Sequence, residues 1–199
     1  MPEDKRIVKT RAILRFALQS LLASEPFDTV TVKQICEAAD VSRVTFYSHF
    51  PDKYALLNNL HADFFNKSLQ RCIEKTRQSG AKDDTKAFFI NLYAAFAEEC
   101  FAPGRREFFY AIFKENGYAL HAFKEYISKG TEDLIQKLRG LYDIDLDYGQ
   151  LATLLMQSPF DFLHATAFSE GVTCEKAVVL CRDYYSTVMD FVLKSHDAK

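Results

Sequence analysis

Apolar residues recur every three or four positions along almost the whole chain, and the breaks between these stretches fall at Gly, Pro, Asn and Asp. The first stretch carries Ile13, Leu14, Ala17, Leu18, Leu21 and Leu22 on one side. A short one follows, with Val32, Ile35, Cys36 and Ala39 on its buried face, opened by Thr31 with Gln34 three positions on. That pair predicts a capping box, in which the threonine oxygen takes a free amide and the glutamine reaches back. Asp40 falls where the chain must turn, in a left-handed conformation that Asp tolerates better than most residues but less well than Gly. Ser42 can then cap a second short helix, Arg43 to Phe50. Its Phe46 and Phe50 lie four apart and point inward, which leaves Arg43, Thr45 and Tyr47 outside. Pro51-Asp52 ends the unit, and Asp52 can cap what comes next.

The remaining periodic stretches are longer. Asp52 to about Arg77 predicts one helix, with Leu57, Leu60, Phe64, Phe65, Leu69 and Cys72 in register and Gln78-Ser79-Gly80 as its stop. Lys82 to Cys100 predicts another, and Arg105 to about Ser128 a third, interrupted at Asn116-Gly117. Thr131 to Arg139 is expected to end at Gly140. Asp147 to Glu170 predicts a long helix bent at Pro159, and Thr173 caps a last one that is apolar on a wide face from Ala177 to Leu193. The expected fold is all-α with about nine helices, divided into residues 1–52 and 53–199 and joined by a rigid helix rather than a flexible linker.

Composition narrows the classes. Hydrophobic residues make up 48% of 199, enough for real cores, while 7 Gly and 5 Pro argue against a sheet-rich or disordered chain. The net charge of -2 excludes a general polyanion binder. Yet Lys5, Arg6, Lys9, Arg11 and Arg15 outnumber Glu3 and Asp4, so the first turns are locally basic and suited to phosphates. Cys36, Cys72, Cys100, Cys174 and Cys181 are odd in number and scattered, which speaks for buried thiols in a reducing compartment rather than a disulfide framework or zinc site. No apolar stretch reaches the roughly 20 residues that span a bilayer, and charges dominate the N-terminus, so a cytoplasmic protein is expected. No phosphate loop, HExxH or GxSxG motif is present, and no catalytic, metal or cofactor site is expected.

The exposed residues of Ser42–His49 have the chemistry of a helix that lies in the major groove of duplex DNA. Arg43 can donate two bonds to guanine, Ser42 and Thr45 suit a phosphate or a base edge, and Val44 can meet a thymine methyl. The run TVKQICEAADVSRVTFYSHFPDKYALL resembles the helix-turn-helix signature of the TetR family of bacterial transcriptional regulators, and the likeness covers about residues 5 to 60. It departs at Asp40, where the family usually has Gly, and at Cys36, where Ala is common. By that resemblance Tyr47, His49 and Lys53 are phosphate anchors, and Lys33 touches the backbone or a flanking base.

The resemblance also implies a homodimer on a palindromic DNA operator, with the last two long helices pairing with their copies, and an unidentified small-molecule effector that releases the repressor. The apolar width of those helices agrees: Leu151, Leu154, Leu155, Phe162, Val178, Tyr185, Val188 and Phe191 are many for one small core. An aromatic-lined effector pocket is expected among the Phe-rich helices, with Phe64, Phe88, Phe96, Phe109 and Phe113 as walls. Gln157, Asp161 and His164 share a helix face and are its polar candidates, although paired groups or a solvent face is the preferred explanation of them. An activator of the same fold, or a DNA-associated adaptor for a protein partner, stands as the alternative.

Overall fold

The computed structural model describes residues 5–80, 84–141, 144, 146–169 and 171–194, and its regular elements are all helical. They are α1 (Lys5–Leu22), α2 (Val32–Ala39), α3 (Arg43–His49), α4 (Lys53–Gln78), α5 (Thr85–Cys100) and α6 (Arg106–Glu115). Next come α7 (Tyr118–Gly130), α8 (Glu132–Leu141), α9 (Tyr148–Ala152), a π-helical turn (Thr153–Gln157), α10 (Ser158–Ala167) and α11 (Cys174–Lys194). None of the described helices is long and apolar enough to cross a membrane.

These elements form two compact units. The first runs through Asp63 and takes back Pro103–Phe123; the second holds Phe64–Ala102 and the chain from Lys124 onward. The packing thus groups α6 and the start of α7 with the helix-turn-helix, whereas the sequence reading had placed them after residue 52.

In the first unit α1 buries Leu14, Ala17, Leu18 and Leu22, as the period requires, while Ile13 is 38% exposed and lies off the apolar stripe. A polar network ties three helices. Arg15 pairs with Asp63 (3.3 Å) and donates to Asn59 Oδ1 (2.9 Å), and Arg105 reaches the other Asp63 oxygen (2.8 Å). Arg105 is itself buried, so one carboxylate between two guanidiniums joins α1, α4 and the start of α6. Arg15 is therefore committed inside the protein rather than held out toward phosphates. Gln19, also buried, donates to the carbonyl of Gly104.

The second unit packs aromatic rings around α5 and α11. Phe64 stacks on Phe96 (5.6 Å, 25°), Phe96 on Phe160 (5.7 Å, 30°), and Tyr93 on Tyr185 (3.7 Å, 9°). The predicted helix over 147–170 is interrupted at Thr153–Gln157, just before Pro159, where the Ser158 amide bonds five residues back to Thr153. Proline has no N–H for the carbonyl four residues earlier, that of Leu155. The Tyr93 hydroxyl donates to that carbonyl, and so does the Tyr185 hydroxyl (2.7 Å). Burial raises the pKa of both phenols, which keeps them protonated donors. Leu151, Leu155 and Tyr185 are thus consumed by the chain's own core, which shortens the apolar surplus read from the sequence. The expected stop at Gly140 also fails, since α8 runs through it to Leu141.

Candidate nucleic-acid interface

The helix-turn-helix is built by local chemistry. Gln34 N–H donates to Thr31 Oγ1 (3.2 Å) and Thr31 N–H to Gln34 Oε1 (2.8 Å), completing the capping box of α2. Asp40 adopts φ 50, ψ 48, and the Val41 amide bonds back to the Cys36 carbonyl (3.0 Å). Ser42 Oγ accepts the Thr45 amide (3.0 Å) to start α3, and Asp52 Oδ1 accepts the Ala55 amide (2.8 Å) to start α4. Phe46 is wholly buried and Phe50 nearly so. Anchoring α3 by one face leaves the other in water.

That outer face carries Arg43, Val44 and Tyr47. Val44 is 81% exposed and Tyr47 55%, high values for large apolar side chains. Tyr47 is held edge-on by Phe46 (5.3 Å, 87°), so its hydroxyl projects from a fixed ring. Ser42 and Thr45 share a hydrogen bond between hydroxyls (2.9 Å), and each keeps capacity for a further partner. His49 is half-buried at the end of α3. On α2, Lys33 lies exposed and loosely paired with Glu37 (3.7 Å). An open concavity of about 500 Å³ runs from Lys33 and Cys36 past Asp40 to Ser42 and Arg43. Burial raises the pKa of the Cys36 thiol, which makes it a poor nucleophile.

Lys53 departs from the expectation of a phosphate anchor. Its ammonium donates to the carbonyls of Phe27, Asp28 and Val30 at 2.8–3.2 Å, inside the protein's own fold. The reason is tertiary: the connection between α1 and α2 turns its carbonyls toward the start of α4, which the sequence alone does not reveal.

The residues expected to line an effector pocket are shared between the two units. Phe109 and Phe113 are buried in the first unit, whereas Phe64, Phe88, Phe96, Gln157, Asp161 and His164 are in the second. Gln157, Asp161 and His164 are all exposed, and Asp161 pairs with Lys124 (2.9 Å). Sequence reasoning passed over Asp63 and Arg105 and took Tyr93 and Tyr185 only as apolar positions, not as hydroxyl donors. The only signal for the tyrosines was a proline inside a helical period, which announces a carbonyl that needs another donor.

Residues 14–60 match the family of bacterial regulatory proteins named tetR. Among solved structures, the chain is similar to a TetR transcriptional regulator from Streptococcus agalactiae, at 22% identity over 94% of this chain and 97% of that one, with a TM-score of 0.60. It is also similar to Salmonella enterica GusR, at 19% identity over 98% of each chain and a TM-score of 0.61. The dihydroxyacetone kinase operon activator DhaS shares 15% identity over 96% of this chain and 97% of its own, with a TM-score of 0.51. These likenesses establish the fold. No curated protein sequence matches the chain.

Proposed function

We propose that this chain, whose residues 14–60 match the tetR family of bacterial regulatory proteins, is a ligand-responsive repressor released from a palindromic operator by a small molecule. The exposed Arg43-Val44-Tyr47 face of α3 is the observation that carries the reading: a rigid, capped helix holds out a bidentate donor, a methyl surface and a phenol. Arg43 reads guanine and Val44 a thymine methyl. Ser42, Thr45, Tyr47, His49 and Lys33 contact phosphates or flanking edges and set the docking depth.

One reading head touches too few bases for a useful specificity ratio, so two copies act together on related half-sites. Exposed apolar residues on α11 support the pairing, since Val179 and Phe191 are 54% and 62% exposed, and Phe162 of α10 stacks on Tyr184 of α11 at 4.3 Å. The effector enters the second unit by parting rings such as Phe64, Phe88 and Phe96, with Gln157, Asp161 and His164 at the rim. It binds one orientation of α4 better than the other, and that difference in affinity is what moves the heads. Control in the opposite direction, as in the operon activator DhaS, would use the same residues.

The test is binding to genomic fragments followed by Arg43→Ala. Specific affinity should fall by about 1–3 kcal/mol and base preference relax at one position of each half-site. Equal loss on every sequence would reduce Arg43 to a phosphate contact, and a wild-type chain indifferent to all fragments at low salt would remove the function altogether.

A further inference from the structure

We propose that Lys53 is a positioning residue of the reading head, locking the α1–α2 connection to the start of α4, and not one of the phosphate contacts; this rests on the DNA-binding reading above. The Lys53 ammonium donates to the carbonyls of Phe27 (2.9 Å), Asp28 (3.2 Å) and Val30 (2.8 Å). An ammonium has three N–H bonds, and these carbonyls use all of them. The charge also lies 4.6 Å from the centre of the Phe27 ring and 5.7 Å from that of Tyr54. The acceptors converge because the segment is a tight turn, in which the Thr29 amide bonds to the Pro26 carbonyl (3.0 Å) and the Val30 amide to that of Phe27 (3.3 Å).

What Lys53 grips decides what it controls. Val30, buried, directly precedes Thr31, the N-cap of α2, and α2 passes through Asp40 into α3. Fixing the Val30 carbonyl to the first residue of α4 therefore sets the angle at which the α2–α3 pair leaves that helix. The joint has a third wall. The Phe27 ring stacks on Tyr118 (5.4 Å, 15°) and meets Tyr54 edge-on (5.2 Å, 75°), while Tyr54 meets Tyr118 edge-on (5.3 Å, 86°). Tyr118 opens α7, so both helices that run on from the first unit into the second begin at this cluster. For Lys53 to reach a phosphate it would have to leave three carbonyls and an aromatic face together, stripping acceptors of which two are partly buried.

Salt dependence separates the two roles. Each neutralised phosphate contributes about 0.9 to the slope of log K against log salt, whereas a residue that only orients the head contributes nothing to that slope. The full chain, its Lys53→Met variant and its Lys53→Arg variant are titrated by fluorescence anisotropy on a duplex selected from a random pool with the wild type, and on an unrelated duplex, across a salt series. We expect both variants to lose at least about tenfold on the selected duplex and less on the unrelated one, with the wild-type slope retained; the planar guanidinium fork cannot serve three carbonyls that converge on one point. Lys53→Arg keeps the charge and decides the matter alone if Lys53→Met does not fold. A slope lowered by about 0.9 per phosphate in Lys53→Met, or full affinity in Lys53→Arg, makes Lys53 an ordinary phosphate contact and overturns the inference. A wild type with no preference between the duplexes overturns the DNA-binding reading, and this inference with it.

Discussion

Two of the breaks in regular α-helix, at Asp40 between α2 and α3 and at Thr153–Gln157 between α9 and α10, have different origins. Every bond that shapes the first joins residues close in sequence: the Thr31–Gln34 box, the left-handed Asp40, the Val41 amide on the Cys36 carbonyl, and the Ser42 cap. The second depends on partners far away, since the Leu155 carbonyl is held by Tyr93 and Tyr185, 62 and 30 residues distant. A break made locally forms whenever its own residues are present. One made by distant hydroxyls forms only once α5 and α11 are in place. The first suits a head that must present the same face to every DNA site, the second a region that can change its packing.

The sharpest way to break the contrast is to remove both hydroxyls. Tyr93→Phe with Tyr185→Phe keeps the stacked rings but withdraws two donors, each worth about 1 kcal/mol, so stability should fall by about 2 kcal/mol. Amide exchange should quicken around the π turn and stay unchanged in α2 and α3. Equal quickening in both places would show that the breaks are not independent.

His61 gives a yardstick for burial acting alone, because it lies on the uninterrupted α4 and packs edge-on against Phe123 (5.3 Å). Desolvation pushes its imidazole down to about 3. In the unfolded chain the ring takes a proton near pH 6.5, so folding stability is complete above that pH and is lost as pH falls toward 3. Between pH 7 and 5 the loss from this group is up to about 2 kcal/mol. Urea unfolding of the wild type and His61→Leu at both pH values should differ by that amount; parallel curves would mean that the ring is solvated enough to ionise in place.

The smallest expected effect lies at Asp40. Its φ of 50 is a conformation glycine adopts freely, and no distant contact holds the turn. Asp40→Gly should therefore stabilise the chain by up to about 1 kcal/mol with DNA affinity unchanged. A destabilised variant would point to a role for the carboxylate that the local account omits.

The helix-turn-helix was legible in the sequence almost to the atom, because caps, a left-handed turn residue and a four-residue apolar spacing all act within one or two helical turns. Some breaks farther on were legible for the same reason, such as the left-handed Asn116 that separates α6 from α7. The fate of individual polar groups was not. Lys53 read, by resemblance, as a phosphate anchor and caps a neighbouring turn; Arg15 read as part of a basic arm and shares Asp63 with Arg105. Gln157, Asp161 and His164 read as possible pocket groups and face outward. Such outcomes depend on which distant carbonyl or carboxylate the packing delivers, and sequence spacing carries no trace of it.

By itself the sequence determined the helical class, the reading head and the side chains that head presents, since these follow from periodicity and from bonds a few residues long. Only the tertiary structure decided that α6 and the start of α7 join the head, that Leu155 is held by two tyrosines, and that Lys53 faces inward. Each of those needs two segments remote along the chain to meet, and an apolar period says that a face is buried without saying against what.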